Sequence, residues 1–161
     1  MHKYDYSTPG AYFITVCTHK RAKILSCIVG AIHESPKIKL TEYGEIVDRI
    51  INNLPNHLGV KIDKYVIMPN HIHFIMSISN SKENRAIRES PLRSHSIISS
   101  TVGYIKMNAS KEIHKLNCNV TVWQRSFHDH IIRNDDDYYE IAKYIEGNPR
   151  CWQYDSLYKE E

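Results

Sequence analysis

The run Val66-Ile67-Met68-Pro69-Asn70-His71-Ile72-His73-Phe74-Ile75-Met76 constrains this chain most, because two imidazoles interrupt an apolar stretch at the spacing of a β-strand. Side chains alternate along a strand, so Ile72, Phe74, Met76 and Ile78 share one face while His71 and His73 share the other with Ile75 and Ser77. One face is free to build a core. The other carries a pair able to grip one metal ion, since neutral imidazole is the commonest protein ligand for transition metals. Spacing alone is weak evidence. Among ten histidines chance gives roughly half such a pair, and His128-Asp129-His130 repeats the pattern. The competing reading is two strand histidines satisfied by backbone or water.

The flanking sequence predicts how this strand is embedded. Residues 11–18 are β-branched and aromatic and follow Pro9-Gly10, which reads as a first strand. The stretch that follows, to Lys39, lacks periodicity and reads as a hairpin or extended excursion. Thr41 then caps a helix whose stripe is Tyr43, Ile46, Val47, Ile50, Ile51 and Leu54, stopping at Pro55. Residues 59–68 and 71–79 form two strands joined at Pro69-Asn70, antiparallel because the link is so short. A second helix, capped by Ser96, follows from Ile98, Val102, Ile105, Ala109, Ile113 and Leu116. Residues 128–133 make a last strand. Asn134 caps a final helix with Asp135, Asp136 and Asp137 in its first turn and Tyr138, Ile141, Ala142 and Ile145 as its stripe. Gly147 and Pro149 end it near Asn148. This order predicts an α+β fold: a ferredoxin-like (RRM-like) sandwich, an antiparallel sheet with helices packed on one face.

At 161 residues, with 42% hydrophobic and 24% charged residues, residues 1–161 fit a single soluble domain. No apolar run approaches the ~20 residues that span a bilayer. The N-terminus lacks a secretory hydrophobic stretch, so a cytoplasmic location is expected and no membrane partner. Cys17, Cys27, Cys118 and Cys151 form no C-x-x-C pair and read as free thiols. A net charge of +3 is only mildly basic, so any nucleic-acid contact must be a local patch, and Lys106, Arg125 and Arg133 are the candidates for phosphate binding. Residues 80–95, rich in charge and poor in apolar anchors, read as a mobile loop within the domain.

Tyr144 and Asn148 lie four residues apart on the final helix and project from one side of it. Alone they read as a boundary tyrosine and a C-cap asparagine, the latter tolerating left-handed backbone. Taken together, five ordered motifs make the chain resemble the single-tyrosine HUH transposases, and most closely the REP-associated tyrosine transposases. They are Gly10-Ala11-Tyr12-Phe13-Ile14-Thr15, the stretch from Val66 to His73, Val122-Trp123-Gln124-Arg125, His130-Ile131-Ile132-Arg133-Asn134, and Tyr144-Ile145-Glu146-Gly147-Asn148-Pro149. The resemblance implies that His71, His73 and Asn148 bind a divalent metal and that Tyr144 is a nucleophile. Many insertion-sequence members carry glutamine where this chain has Asn148, which points to the REP-associated branch.

The implied activity is nicking and strand transfer on single-stranded, hairpin-forming DNA through a 5′-phosphotyrosyl intermediate, by a homodimer. Such transesterification needs a nucleophile, charge neutralisation at phosphate, and retention of the bond energy for rejoining. Tyrosine ionises near pH 10, so a cation beside it would help. Two imidazoles and an amide oxygen suit Mn²⁺ well and Mg²⁺ less well. Two alternatives stand beside it: a hydrolytic metal-dependent nuclease using the same histidines with water as the nucleophile, and a non-catalytic single-strand RNA or DNA binder on an open sheet, whose face would carry aromatics where this one carries histidines.

Overall fold

The computed structural model describes residues 10–30, 36–55, 58–78 and 97–158. The expected loop over residues 80–95 and the expected cap Ser96 lie outside them. The strands are β1 (Gly10–Cys17), β2 (Ser26–Val29), β3 (Lys37–Leu40), β4 (Val60–Ile67), β5 (His71–Ile78) and β6 (His128–Ile132). The helices are α1 (Glu42–Asn52), α2 (Ile97–Leu116) and α3 (Asp135–Gly147), the last continuing into a 3-10 segment, Asn148–Tyr154. Four strands form one antiparallel sheet in the order β4-β5-β1-β6. With β2 and β3 set aside as a separate ribbon, this is the expected ferredoxin-like arrangement. The aperiodic stretch is therefore a hairpin, paired from Ser26↔Leu40 to Val29↔Lys37.

Alternation decides the two faces. Tyr12, Ile14 and Val16 of β1 and Ile72, Phe74 and Met76 of β5 are fully or almost fully buried, and they pack with Ile46, Val47 and Ile51 of α1 and Ile98, Val102, Ile105 and Ile113 of α2. Thr41 caps α1 by accepting from the Gly44 N–H, as its position predicts. Gly44 is required there: a Cβ would meet the Leu25 carbonyl oxygen at 2.0 Å. The expectation of helices on one sheet face holds for α1 and α2, whereas α3 lies on the opposite face. There Val66, Met68 and Ile75 form a second, smaller apolar cluster with Ala142, Ile145 and Trp152. Ile75 of β5, Val66 of β4 and the neighbouring Ala11 and Phe13 of β1 supply the apolar surface of this face, and the stripe of α3 covers it. Among the described residues, no helix is long and apolar enough to cross a membrane.

Candidate active site

Both histidines stand on β5, flanked by β4 and β1, with Cys17↔His71 and Thr15↔His73 as register partners. Because α3 and the 3-10 segment close over this face, His71 is 0% and His73 3% exposed. Their ring centroids are 4.3 Å apart. Each ring has its Nδ1 engaged, His71 with Asn70 Oδ1 and His73 with Thr15 Oγ1, both at 2.8 Å. The remaining ring nitrogens, Nε2, belong to the site.

The other half comes from one continuous piece of chain. Asn134 caps α3 by accepting from the Asp137 N–H, as expected for an acidic first turn. From the far end of that helix, the Tyr144 hydroxyl lies 3.4 Å from His73 Nε2 and donates to Asp155 Oδ2 at 3.2 Å. Asn148 Nδ2 donates to the same oxygen at 2.9 Å, and the Leu157 N–H donates to Oδ1 at 2.7 Å. The left-handed C-cap anticipated for Asn148 does not occur: its φ and ψ are −55° and −40°, right-handed helical. The chain runs straight into the 3-10 segment, where Pro149 needs no amide donor, and Asn148 is turned inward and buried. The structure brings His71, His73, Tyr144 and Asn148 together in one cluster.

Burial, and then the charge of neighbouring groups, sets the protonation states. His71 is lowered to about 4 and His73 to about 3, first by burial and, for His73, next by the neighbouring His71. Both rings are neutral at physiological pH, the form that ligates a metal. Tyr144 is raised to about 12, by burial first and then by the Asp155 carboxylate. Burial pushes Asp155 upward, but donation from the Leu157 N–H and Asn148 Nδ2 outweighs it and holds the carboxyl below its ordinary value.

These residues fit a divalent cation. His71 Nε2 and Asn148 Oδ1 are buried without a hydrogen-bond partner, and leaving such atoms unsatisfied costs about 1–3 kcal/mol each. Both are electron-pair donors. Asp155 has a ligand atom within 4.8 Å of those of the two histidines. Sequence reasoning missed Asp155: it lies eleven residues past Tyr144 beyond the helix stop, where helical spacing relates nothing, and a carboxylate at that distance is commonplace. Arg21 was missed too. It follows Lys20 in left-handed backbone, with φ of 57° and 52°, and its guanidinium donates to the Ser156 carbonyl beside the site at 3.1 Å.

The three proposed phosphate contacts are spread out. Lys106 spends two donors on the carbonyls of Gln124 and Arg125, at 2.5 and 3.0 Å, and burial lowers its pKa. With Arg125 it lines a groove of about 640 Å³ between α2 and the segment leading to β6. Arg133 is exposed before α3, its backbone N–H donating to Asp137. Among the described contacts, none of the three reaches the histidine cluster. All four cysteines are free thiols, as expected.

No family model matches the chain. An uncharacterized protein of Haemophilus influenzae is 33% identical, over 96% of this chain and 88% of the relative. A second Haemophilus influenzae relative, described as a REP-associated tyrosine transposase, is 24% identical over 99% of this chain and 86% of its own length. Among solved structures, a REP-associated tyrosine transposase bound to a REP hairpin superposes with a TM-score of 0.64 at 21% identity, covering 96% of this chain and 75% of that one. A transposase of Deinococcus radiodurans gives 0.50 at 14% identity, covering 91% and 96%. These two likenesses concern the fold.

Proposed function

We propose that this chain is a REP-associated tyrosine transposase, a reading supported by a 24%-identical relative so described and by a shared fold, and that it nicks and rejoins single-stranded DNA with Tyr144 as the nucleophile. The observation that carries this reading is the Tyr144 hydroxyl, 3.4 Å from His73 Nε2 on a side chain that is 45% exposed. It is both joined to the cluster and reachable by a strand. In the proposed step Tyr144 Oη forms an ester bond to phosphorus while the bond to the 3′-oxygen breaks. The phenol loses its proton and the departing oxygen gains one, giving a 3′-OH and a 5′-phosphotyrosyl ester. That ester retains the bond energy needed for reversal or transfer to a new strand. The 5′ polarity follows the family resemblance.

His71, His73 and Asn148, with Asp155 beside them, would hold a divalent ion. When bound, Mn²⁺ or Mg²⁺ would neutralise charge at the phosphate and favour the phenolate. In its absence burial and Asp155 make Tyr144 a poorer nucleophile than free tyrosine. The substrate class follows the relative whose structure is bound to a REP hairpin, so we assign this chain hairpin DNA with single-stranded flanks. A non-catalytic strand binder is disfavoured because α3 covers the sheet face it would use.

The test is incubation of labelled hairpins with the protein and Mn²⁺, then denaturing electrophoresis. A covalent adduct that maps to Tyr144, and that Tyr144→Phe abolishes while hairpin binding persists, is the expected result. Cleavage without an adduct would assign water as the nucleophile and overturn the tyrosine mechanism. Light scattering of the hairpin complex determines whether two copies act together, as the resemblance implies.

A further inference from the structure

His71 Nδ1 and the Leu157 carbonyl oxygen sit on opposite ends of one buried amide. Asn70, 0% exposed, donates from Nδ2 to the Leu157 oxygen at 2.9 Å and presents Oδ1 to His71 Nδ1 at 2.8 Å. The first bond fixes which way the amide faces, because a carbonyl oxygen only accepts. Oδ1 is therefore the atom facing the ring, and it only accepts as well. The proton between them must belong to His71 Nδ1. A neutral imidazole carries one ring proton, so Nε2 is left with a bare lone pair, and Nε2 is the atom buried without a partner.

We infer that Asn70 is a positioning residue, which holds His71 as the Nδ1–H tautomer with Nε2 aimed as a ligand and ties the turn carrying Asp155 to the same ring. The inference rests on the metal-site reading above. Its two bonds do different things. The Oδ1 bond selects the tautomer and the ring's orientation; the Nδ2 bond anchors Leu157, whose N–H in turn holds Asp155 Oδ1. Thr15 stands behind His73 in the corresponding place, but its hydroxyl can donate or accept and so does not by itself impose a tautomer. Asn70 does.

The experiment begins with the metal-free wild-type protein, whose histidine ring nitrogens are read by two-bond ¹H–¹⁵N correlation. His71 should show a protonated Nδ1 and an unprotonated Nε2; the reverse pattern would overturn the inference without any variant being made. Mn²⁺ affinity is then measured by the electron paramagnetic resonance of the free ion, with no DNA present. Asn70→Ala should weaken Mn²⁺ binding roughly 10- to 100-fold, the range seen when the partner of a metal-bound histidine is removed. Asn70→Asp, which keeps the acceptor toward Nδ1 but loses the donor to Leu157, should recover part of that loss. Unchanged affinity in folded Asn70→Ala, or no recovery in folded Asn70→Asp, would make Asn70 a packing residue only. If wild type shows the stated tautomer but binds no Mn²⁺, the metal reading fails and the Asn70–His71 hydrogen bond stands.

Discussion

Lowering the pH from 8 to 5 in the presence of a chelator should cost this protein about 4 kcal/mol of stability through His71 and His73 alone. In the unfolded chain a histidine titrates near 6.5, whereas in the folded protein burial lowers the two rings to about 4 and about 3. Between those limits the unfolded state binds protons that the folded state refuses, so stability rises with pH across this window and falls as the solution is acidified. At pH 5 the unfolded form has gained about 2 kcal/mol per ring and the folded form almost nothing. Most carboxylates remain ionised at that pH, which keeps the acid signal in the imidazoles. Against a typical stability of about 5–15 kcal/mol this is a large share. The assay is urea denaturation followed by circular dichroism at both pH values, on wild type and on His71→Gln/His73→Gln. The histidines common to both proteins cancel in the comparison. Equal pH dependence in the two would show that the buried rings do not resist protonation, and the electrostatic picture of the site would fall.

Other expectations follow from single contacts. Asp155→Ala removes a carboxylate within ligand range of the histidines and should weaken Mn²⁺ binding at least roughly tenfold, measured by calorimetry; unchanged binding would leave Asp155 as a partner of Tyr144 and Asn148 only. Gly44→Ala drives a methyl into the Leu25 carbonyl oxygen, which also accepts from the Thr41 N–H at 3.0 Å, and should destabilise by about 1–3 kcal/mol or more, seen as a lower thermal midpoint. Arg125→Ala and Arg133→Ala should each reduce the salt dependence of hairpin binding by roughly one counterion; an unchanged slope would remove that arginine from the phosphate contacts.

The local elements were legible in sequence because each is dictated by near neighbours. Alternation through β5 assigns Ile72, Phe74 and Met76 to the core and both histidines to the other face. Thr41 and Asn134 announce their helices through short-range caps, and the four-residue offset of Tyr144 and Asn148 follows from helix geometry. What those faces meet is a matter of long-range packing. Only the tertiary structure decided that α3 crosses the histidine face, that both rings are buried, and that Asn148 stays helical before a proline instead of turning left-handed. Burial is a property of everything that closes over a group, so no spacing rule could supply the depressed histidines or the raised tyrosine. Asp155 and Asn70 make the same point from opposite directions. Asp155 reaches the site because a 3-10 segment folds back from the end of α3, and Asn70, adjacent to His71 in sequence, gains its meaning from Leu157, a carbonyl 87 residues away.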